Sequence, residues 1–225
     1  MEDGKVMNKL KVLYEDNHLI VVIKPCNVPS QQDSSEDLDL LTIVKDYIKE
    51  NYHKPGNVYI GLVHRLDRPV SGIMVFARTS KAASRLSEQI RKNEFSKKYL
   101  AVVNGIIDKD EDTLVDYLKK EENGNTIVTN SIDGKISILN YKVLKRNYNK
   151  NETLVDIELK TGRHHQIRVQ FASRNFPLCG DQRYGKIDKT QIALFAYHLE
   201  FYHPITKEKM VFNIEKPSRD YWLDF

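Results

Sequence analysis

Two short segments of the chain concentrate the side chains that could do chemistry. The first, residues 64–72, holds Asp67 between Arg65 and Arg68, directly before an apolar run. Because a nearby cation lowers the pKa of an aspartate by roughly 1–3 units, Asp67 should stay ionised and could act as a nucleophile. The same residues could instead form a structural ion pair in a turn, and the pattern leaves both interpretations open.

The second segment, residues 161–168, contains two arginines and two histidines: Arg163, His164, His165 and Arg168. We expect these residues to lie on the first turns of a helix, where free N–H groups favour anions. Arg168 could therefore pair with Asp67 or with a phosphate. Adjacent histidines on a helix point about 100° apart and no carboxylate lies in this segment, so we expect no metal site.

Tyr99 follows Lys97 and Lys98 at the start of a predicted strand. Alone it would be taken for a core aromatic, but beside two lysines it is a candidate for stacking on a nucleic-acid base. Residues 78–98 carry seven basic and two acidic side chains, and some of the basic ones could line one side of a helix: Lys81, Arg85 and Lys92. Such a surface could contact phosphates, or it could simply be a solvated face.

The elements that must position these residues follow from the hydrophobic pattern. It predicts strands at residues 12–14, 19–23, 58–63, 72–78, 99–103, 155–159, 193–201 and 209–214, and helices at 38–52, 80–93 and 164–174. Because strands and helices mix without strict alternation, we expect an α+β fold with a large, mixed, mostly antiparallel sheet flanked by helices. The remaining stretch, residues 108–134, is interpreted as a polar excursion.

Composition narrows the class of protein. The 225 residues are 40% hydrophobic and 29% charged, as in an ordinary globular protein, and no apolar run approaches the roughly 20 residues of a membrane span. Two cysteines are too few for a disulfide scaffold and favour the reducing cytoplasm. We expect one domain over residues 1–225 with a tail at residues 1–10, a monomer by default and no membrane partner.

Four stretches, taken in order, resemble the RluA-type pseudouridine synthase family. They are residues 21–25 (VVIKP), HRLD at 64–67 with the following Ser71-Gly72, 97–101 (KKYLA), and 161–168 (TGRHHQIR). The resemblance implies a pseudouridine synthase catalytic domain with an RNA-binding cleft, lacking the small N-terminal RNA-binding domain of many relatives. It also implies isomerisation of uridine to pseudouridine in RNA, with no cofactor and no metal.

The resemblance also implies a role for individual residues. Asp67 would be the catalytic carboxylate, Tyr99 would stack on the target base and help to remove the carbon-5 proton, and Arg168 would pair with Asp67. Ile167 would line the uracil pocket, and Arg65 would fill the gap left by the flipped nucleotide. Further residues would bind substrate RNA: His64, Lys81, Arg85, Lys97, Lys98, Arg163, His165 and Gln166.

Two other function classes remain open. One is a non-catalytic RNA-binding module that keeps the synthase scaffold. The other is a metal-dependent hydrolase that uses His64, His164, His165 and Asp67, which we rank last. Ribosomal RNA and transfer RNA are both compatible with the motifs as the partner.

Overall fold

A computed structural model describes residues 10–187 and 190–225. In chain order the elements are β1 (Lys11–Glu15), β2 (Leu19–Lys24), α1 (Leu40–Asn51), β3 (Gly61–Leu62), β4 (Ser71–Ala77), α2 (Ser80–Arg91), β5 (Ser96–Asn104), β6 (Glu111–Lys120), β7 (Thr126–Thr129), β8 (Lys135–Asn147), β9 (Glu152–Leu159), α3 (Gln166–Ala172), β10 (Leu194–Tyr202) and β11 (Lys209–Asn213), followed by a short 3-10 helix (Asp220–Asp224).

The described residues divide into two compact units. Unit 1 comprises residues 10–95 and 198–214, and unit 2 comprises 96–197 and 215–225, apart from the undescribed positions 188–189. Strand β10 contributes residues to both units. Within the described residues, no helix has the length and apolar character of a membrane span.

In unit 1 the strand order is β1-β2-β4-β10, with β3 beside β4 and β11 beside β10. Strands β2 and β4 are antiparallel, with Leu19 opposite Ala77 and Lys24 opposite Gly72. The end of β2 therefore lies beside the start of β4. As a result, the Lys24-Pro25 motif and the turn that holds Asp67 lie at the same end of these two strands.

Side-chain caps and an apolar face explain the helices of unit 1. The carboxylate of Asp39 accepts the backbone N–H of Thr42 at the start of α1, and the hydroxyl of Thr79 accepts that of Ala82 at the start of α2. Helix α2 then packs on the sheet, and together they bury one apolar cluster: Leu19, Val21, Ile73, Val75, Ala77, Ala82, Leu86, Phe95, Leu199 and Phe201.

In unit 2 the strand order is β10-β5-β9-β8-β6-β7, and the pairs from β5 to β7 are antiparallel. Helix α3 packs against this sheet, with the ring of Phe171 centred 5.6 Å from that of Tyr141. The predicted α+β fold with a large, mostly antiparallel sheet and flanking helices is confirmed.

The structure differs from the predicted elements at several positions. Strand β8 (Lys135–Asn147) was not predicted, and β9 begins at Glu152 rather than at residue 155. The strand expected at residues 58–63 is reduced to Gly61–Leu62, and the polar excursion contains strands β6 and β7. Strand β6 was not predicted from the sequence because Asp116 interrupts the alternation of apolar residues between the buried Leu114 and Leu118. The carboxylate of Asp116 is accommodated by hydrogen bonds from the side chains of Gln170 and Arg174, both at 2.8 Å.

The aromatic stack in unit 1 gives a test of the fold. Phe201 is fully buried and its ring stacks between those of Phe95 and Phe212, at 5.4 and 6.0 Å. We predict that Phe201→Ala lowers the free energy of unfolding by about 3–5 kcal/mol, measured by urea titration. Tyr202→Ala, one residue along at an exposed position, should cost less than about 1 kcal/mol. Equal losses would contradict the assigned packing.

Candidate active site

The turn that carries Asp67 belongs to unit 1, and its backbone is fixed on both sides. The carbonyl of Asp67 accepts the N–H of Val70 at 3.0 Å. The buried hydroxyl of Ser30 donates to the carbonyl of Leu66 at 2.7 Å and accepts the N–H of the same residue at 3.2 Å. Asp67 is half-buried, and these hydrogen bonds fix the backbone that carries it.

Lys24 clamps this turn to the end of β2. Its side chain is fully buried, and its ammonium donates to the carbonyls of Pro25, Arg68 and Val70 at 2.9, 2.9 and 2.7 Å. Burial lowers the pKa of Lys24 to about 7, although the charge of Asp67 opposes this shift. Below that pH the ammonium has one N–H for each of the three carbonyls. This role of Lys24 was not predicted, although the residue lies within the 21–25 motif.

The other charged residues of the first segment have different environments. His64 accepts the backbone N–H of Val75 at its Nε2, 3.1 Å away, and its ring packs against Phe95. Arg65 is exposed, as a residue that enters RNA would need to be. Arg68 donates to the hydroxyl of Ser35 at 2.8 Å and forms an ion pair with Asp37.

Tyr99 and Lys97 lie in unit 2 on the same face of β5, because side chains alternate along a strand. Tyr99 is buried. Burial also lowers the pKa of Lys97, whose Nζ would lie 3.4 Å from a Cβ added at Gly162. Strand β5 therefore brings Lys97 next to the second segment, while Lys98 lies on the opposite face.

Helix α3 begins at Gln166, two residues later than predicted, because His165 adopts a left-handed conformation with φ of 51°. Arg163, His164 and His165 therefore lie before the helix and not on its first turns, which corrects the prediction for all three residues. Gln166 is buried and holds this turn. Its Oε1 accepts the hydroxyl of Thr161 at 2.8 Å and the N–H of Arg163 at 3.0 Å.

Arg168 is buried in unit 2 and makes a two-pronged ion pair with Asp181. Its Nε and Nη2 donate to the two carboxylate oxygens at 2.8 and 2.7 Å, and its guanidinium lies over the ring of Tyr184. Burial alone would raise the pKa of Asp181, but hydrogen bonds and charge from Arg168 hold it below its usual value. Asp181 was not predicted as the partner of Arg168. The pair between Arg168 and Asp67 stays a prediction.

The two adjacent histidines bond to hydroxyl groups within unit 2. His164 Nδ1 lies 2.8 Å from Thr126 Oγ1, His165 Nδ1 lies 2.8 Å from the hydroxyl of Tyr184, and the two imidazole rings stack. The Tyr184 hydroxyl also accepts the N–H of Thr126. Across residues 10–187 and 190–225, no three His, Cys, Asp or Glu side chains are grouped to hold a metal ion.

The basic side of helix α2 is only partly open to solvent. Lys81 is exposed. The guanidinium of Arg85 donates to the carbonyl of Pro204 at 2.8 Å, and Lys92 pairs with Glu88 at 2.9 Å. Of the two basic residues that were assigned to RNA on this helix, Lys81 and Arg85, Lys81 is therefore the more accessible.

Comparison with known proteins agrees across sequence and structure. A family model described as RNA pseudouridylate synthase matches residues 18–173. An uncharacterized RNA pseudouridine synthase of Aquifex aeolicus is 35% identical over 93% of this chain and 70% of its own length. The dual-specificity RNA pseudouridine synthase RluA of Haemophilus influenzae is 34% identical over 91% of this chain and 92% of its own. The fold matches human RNA Pseudouridylate Synthase Domain Containing 4, with a TM-score of 0.78, 19% identity, and coverage of 95% of this chain and 91% of the human one.

The buried ammonium of Lys24 gives a pH-dependent test. An unfolded lysine has a pKa of about 10.4, so between about pH 7 and pH 10 the unfolded chain binds the extra proton and the free energy of unfolding rises with pH. We predict that wild type gains roughly 2–3 kcal/mol over Lys24→Met between about pH 7 and pH 9. Urea unfolding across this range measures the gain. Lys49→Met, at an exposed position, should show none, and a constant difference for Lys24→Met would contradict the lowered pKa.

The ion pair of unit 2 gives a second test. Asp181→Ala removes the carboxylate that accepts both Nε and Nη2 of the buried Arg168 guanidinium, so we predict a loss of about 3–5 kcal/mol in the free energy of unfolding. Asp133→Ala removes an exposed carboxylate from the turn between β7 and β8 and should change it by less than about 0.5 kcal/mol. Similar values for the two variants in urea titration would refute a structural role for Asp181.

Proposed function

Since the chain belongs to the RNA pseudouridylate synthase family, we propose that it uses Asp67 as the catalytic carboxylate to isomerise specific uridines in structured RNA. The coarser conclusion, that the chain is an RNA pseudouridine synthase enzyme, follows from the family and from relatives of known name. One observation carries the proposal for Asp67. A half-buried carboxylate stands on a turn whose backbone is clamped by Lys24 and Ser30.

The reaction needs only what the chain and the RNA supply. The bond between ribose carbon 1′ and uracil N1 breaks, the base turns, and carbon 1′ bonds to carbon 5. The carbon-5 proton leaves and N1 takes up a proton, so atoms and electrons balance without a cofactor. Asp67 acts as a nucleophile at the ribose or on the uracil ring, and its rigid backbone limits the entropy lost on reaching the reactive geometry.

Three further residues take part in the reaction that we propose. Tyr99 stacks on the target base and assists removal of the carbon-5 proton, while Ile167 lines the uracil pocket. Arg168 pairs with Asp67 and stabilises its ionised form. The ion pair with Asp181 supports this role, because it fixes the plane of the Arg168 guanidinium.

The target uridine must leave its stack before the glycosidic bond can be reached, which costs a few kcal/mol. Arg65 is exposed and long enough to occupy the vacated space. Phosphate contacts from exposed cations such as Lys81 and Arg163 offset the cost. One relative is named for the ribosomal large subunit, which supports ribosomal RNA as a substrate, and transfer RNA is the second substrate that we propose.

The alternative, a non-catalytic RNA-binding module, gives Asp67 no reason to face an anionic ligand. The decisive variant is Asp67→Asn, which keeps the size of the side chain and removes the nucleophilic charge. We predict that it lowers the rate of pseudouridine formation by at least about 10³-fold. The dissociation constant for RNA should stay within a few-fold of wild type, and the variant should fold as wild type does. Release of tritium from RNA labelled at carbon 5 of uracil measures the rate.

Glu50→Gln, at an exposed position at the end of α1, is the matched control and should release tritium as wild type does. The reaction mixtures are run with and without a chelator. Release by Asp67→Asn at the wild-type rate would reject Asp67 as the catalytic group. RNA hydrolysis that is lost on chelation and restored by zinc or manganese, with no release of tritium, would favour the metal-dependent hydrolase.

A further inference from the structure

An acidic segment lies beside the turn that carries Asp67. Residues 31–38 are all exposed, contain three carboxylates and have no basic side chain: Gln31, Gln32, Asp33, Ser34, Ser35, Glu36, Asp37 and Leu38. We call this segment the acidic strap. Carboxylates repel RNA phosphates, so a strap of this composition next to the catalytic turn of an RNA enzyme works against binding unless it has a specific use.

Both ends of the acidic strap are anchored in unit 1. On one side Ser30 is buried and bonded to the backbone of Leu66, one residue before Asp67. On the other side Asp39 is buried and caps α1, and the N–H of Leu40 donates to the carbonyl of Pro29 at 2.8 Å. The strap is thus held next to the turn while its own side chains stay in solvent.

The strap holds Arg68, the residue that follows Asp67. The guanidinium donates to the hydroxyl of Ser35 at 2.8 Å, forms an ion pair with Asp37, and has Asp33 at 3.8 Å. The side chain of Arg68 remains 41% exposed. Its backbone carbonyl, in contrast, is fixed by Lys24. The side chain can therefore exchange partners without any movement of the catalytic turn.

A phosphate is the natural competitor for this guanidinium. Ion pairs between exposed side chains are weak, whereas the planar guanidinium matches two phosphate oxygens at once. Among the charged residues around Asp67, Arg68 was assigned no role by the family resemblance. Hydrogen bonds from Ser35 and from Arg68 lower the pKa values of Asp33 and Asp37 respectively, so both carboxylates are charged at neutral pH.

We propose that Arg68 binds a phosphate of substrate RNA next to the target nucleotide, and that the acidic strap competes with this phosphate for Arg68. RNA that places a phosphate at Arg68 displaces the strap from the guanidinium. RNA that has no phosphate at this position is repelled by the three carboxylates of the strap. The strap thereby raises the discrimination between substrate and other RNA at the expense of affinity. This inference rests on the proposed function.

Four proteins test the competition: wild type, Asp33→Asn/Asp37→Asn, Arg68→Gln, and the triple variant. We expect Asp33→Asn/Asp37→Asn to lower both KM for tritium release and the dissociation constant for the same RNA by roughly 3–10-fold, with kcat unchanged. In the Arg68→Gln background the same two substitutions relieve only the general repulsion between exposed charges and RNA, which salt screens, so both constants should fall less than about 2-fold. The difference between backgrounds measures the contact itself.

The control Asp46→Asn/Glu50→Gln removes the same charge from the neighbouring helix α1 and should leave both constants within about 2-fold of wild type. An equal gain in the Arg68→Gln background would show general repulsion and overturn the proposal. A rise in KM for Asp33→Asn/Asp37→Asn would overturn it as well, because the strap would then support Arg68. If wild type released no tritium, the proposed function would fail, and the dissociation constants would still decide the competition.

Discussion

The ammonium of Lys24 is buried where β2 ends, and it donates to three carbonyls of the surrounding chain. Two of these carbonyls belong to Arg68 and Val70, on the turn that follows Asp67. A buried cation is costly unless its hydrogen bonds are satisfied, so the backbone of this turn has little freedom to move away. Together with the hydrogen bonds from Ser30, this contact limits the movement of the turn that carries Asp67 and of the start of β4.

Buried and exposed charged residues have different roles in both units. Lys24 in unit 1 and the pair of Arg168 with Asp181 in unit 2 are buried and satisfied, and they fix geometry. Exposed cations such as Arg65 and Lys81 do not fix the geometry of the fold in this way, and their side chains can adapt to a flexible polyanion such as RNA. Rigid, buried ion contacts combined with adaptable exposed cations suit an enzyme that acts on RNA.

Local sequence was sufficient wherever an element is governed by its own residues. The apolar runs of β2 and β4, and the helical spacing of apolar residues in α1 and α2, led to the correct elements. Strand β6 was missed because Asp116 stands at an inward position, where it is satisfied by Gln170 and Arg174 from far along the chain. No local pattern reveals such partners.

The candidate site shows the same division. The chemistry-bearing segments were found from residue types and order, since charged residues between apolar elements are conspicuous. Their contacts were not foreseen. Three features depend on tertiary geometry: Asp181 as the partner of Arg168, the left-handed backbone at His165, and the contact of the acidic strap with Arg68.

The most direct test is a map of pseudouridines in total RNA from cells that lack this protein, complemented with wild type or with Asp67→Asn. The account predicts at least one pseudouridine restored by wild type alone. Restoration of the same position by Asp67→Asn, or identical maps with and without the protein, would contradict it.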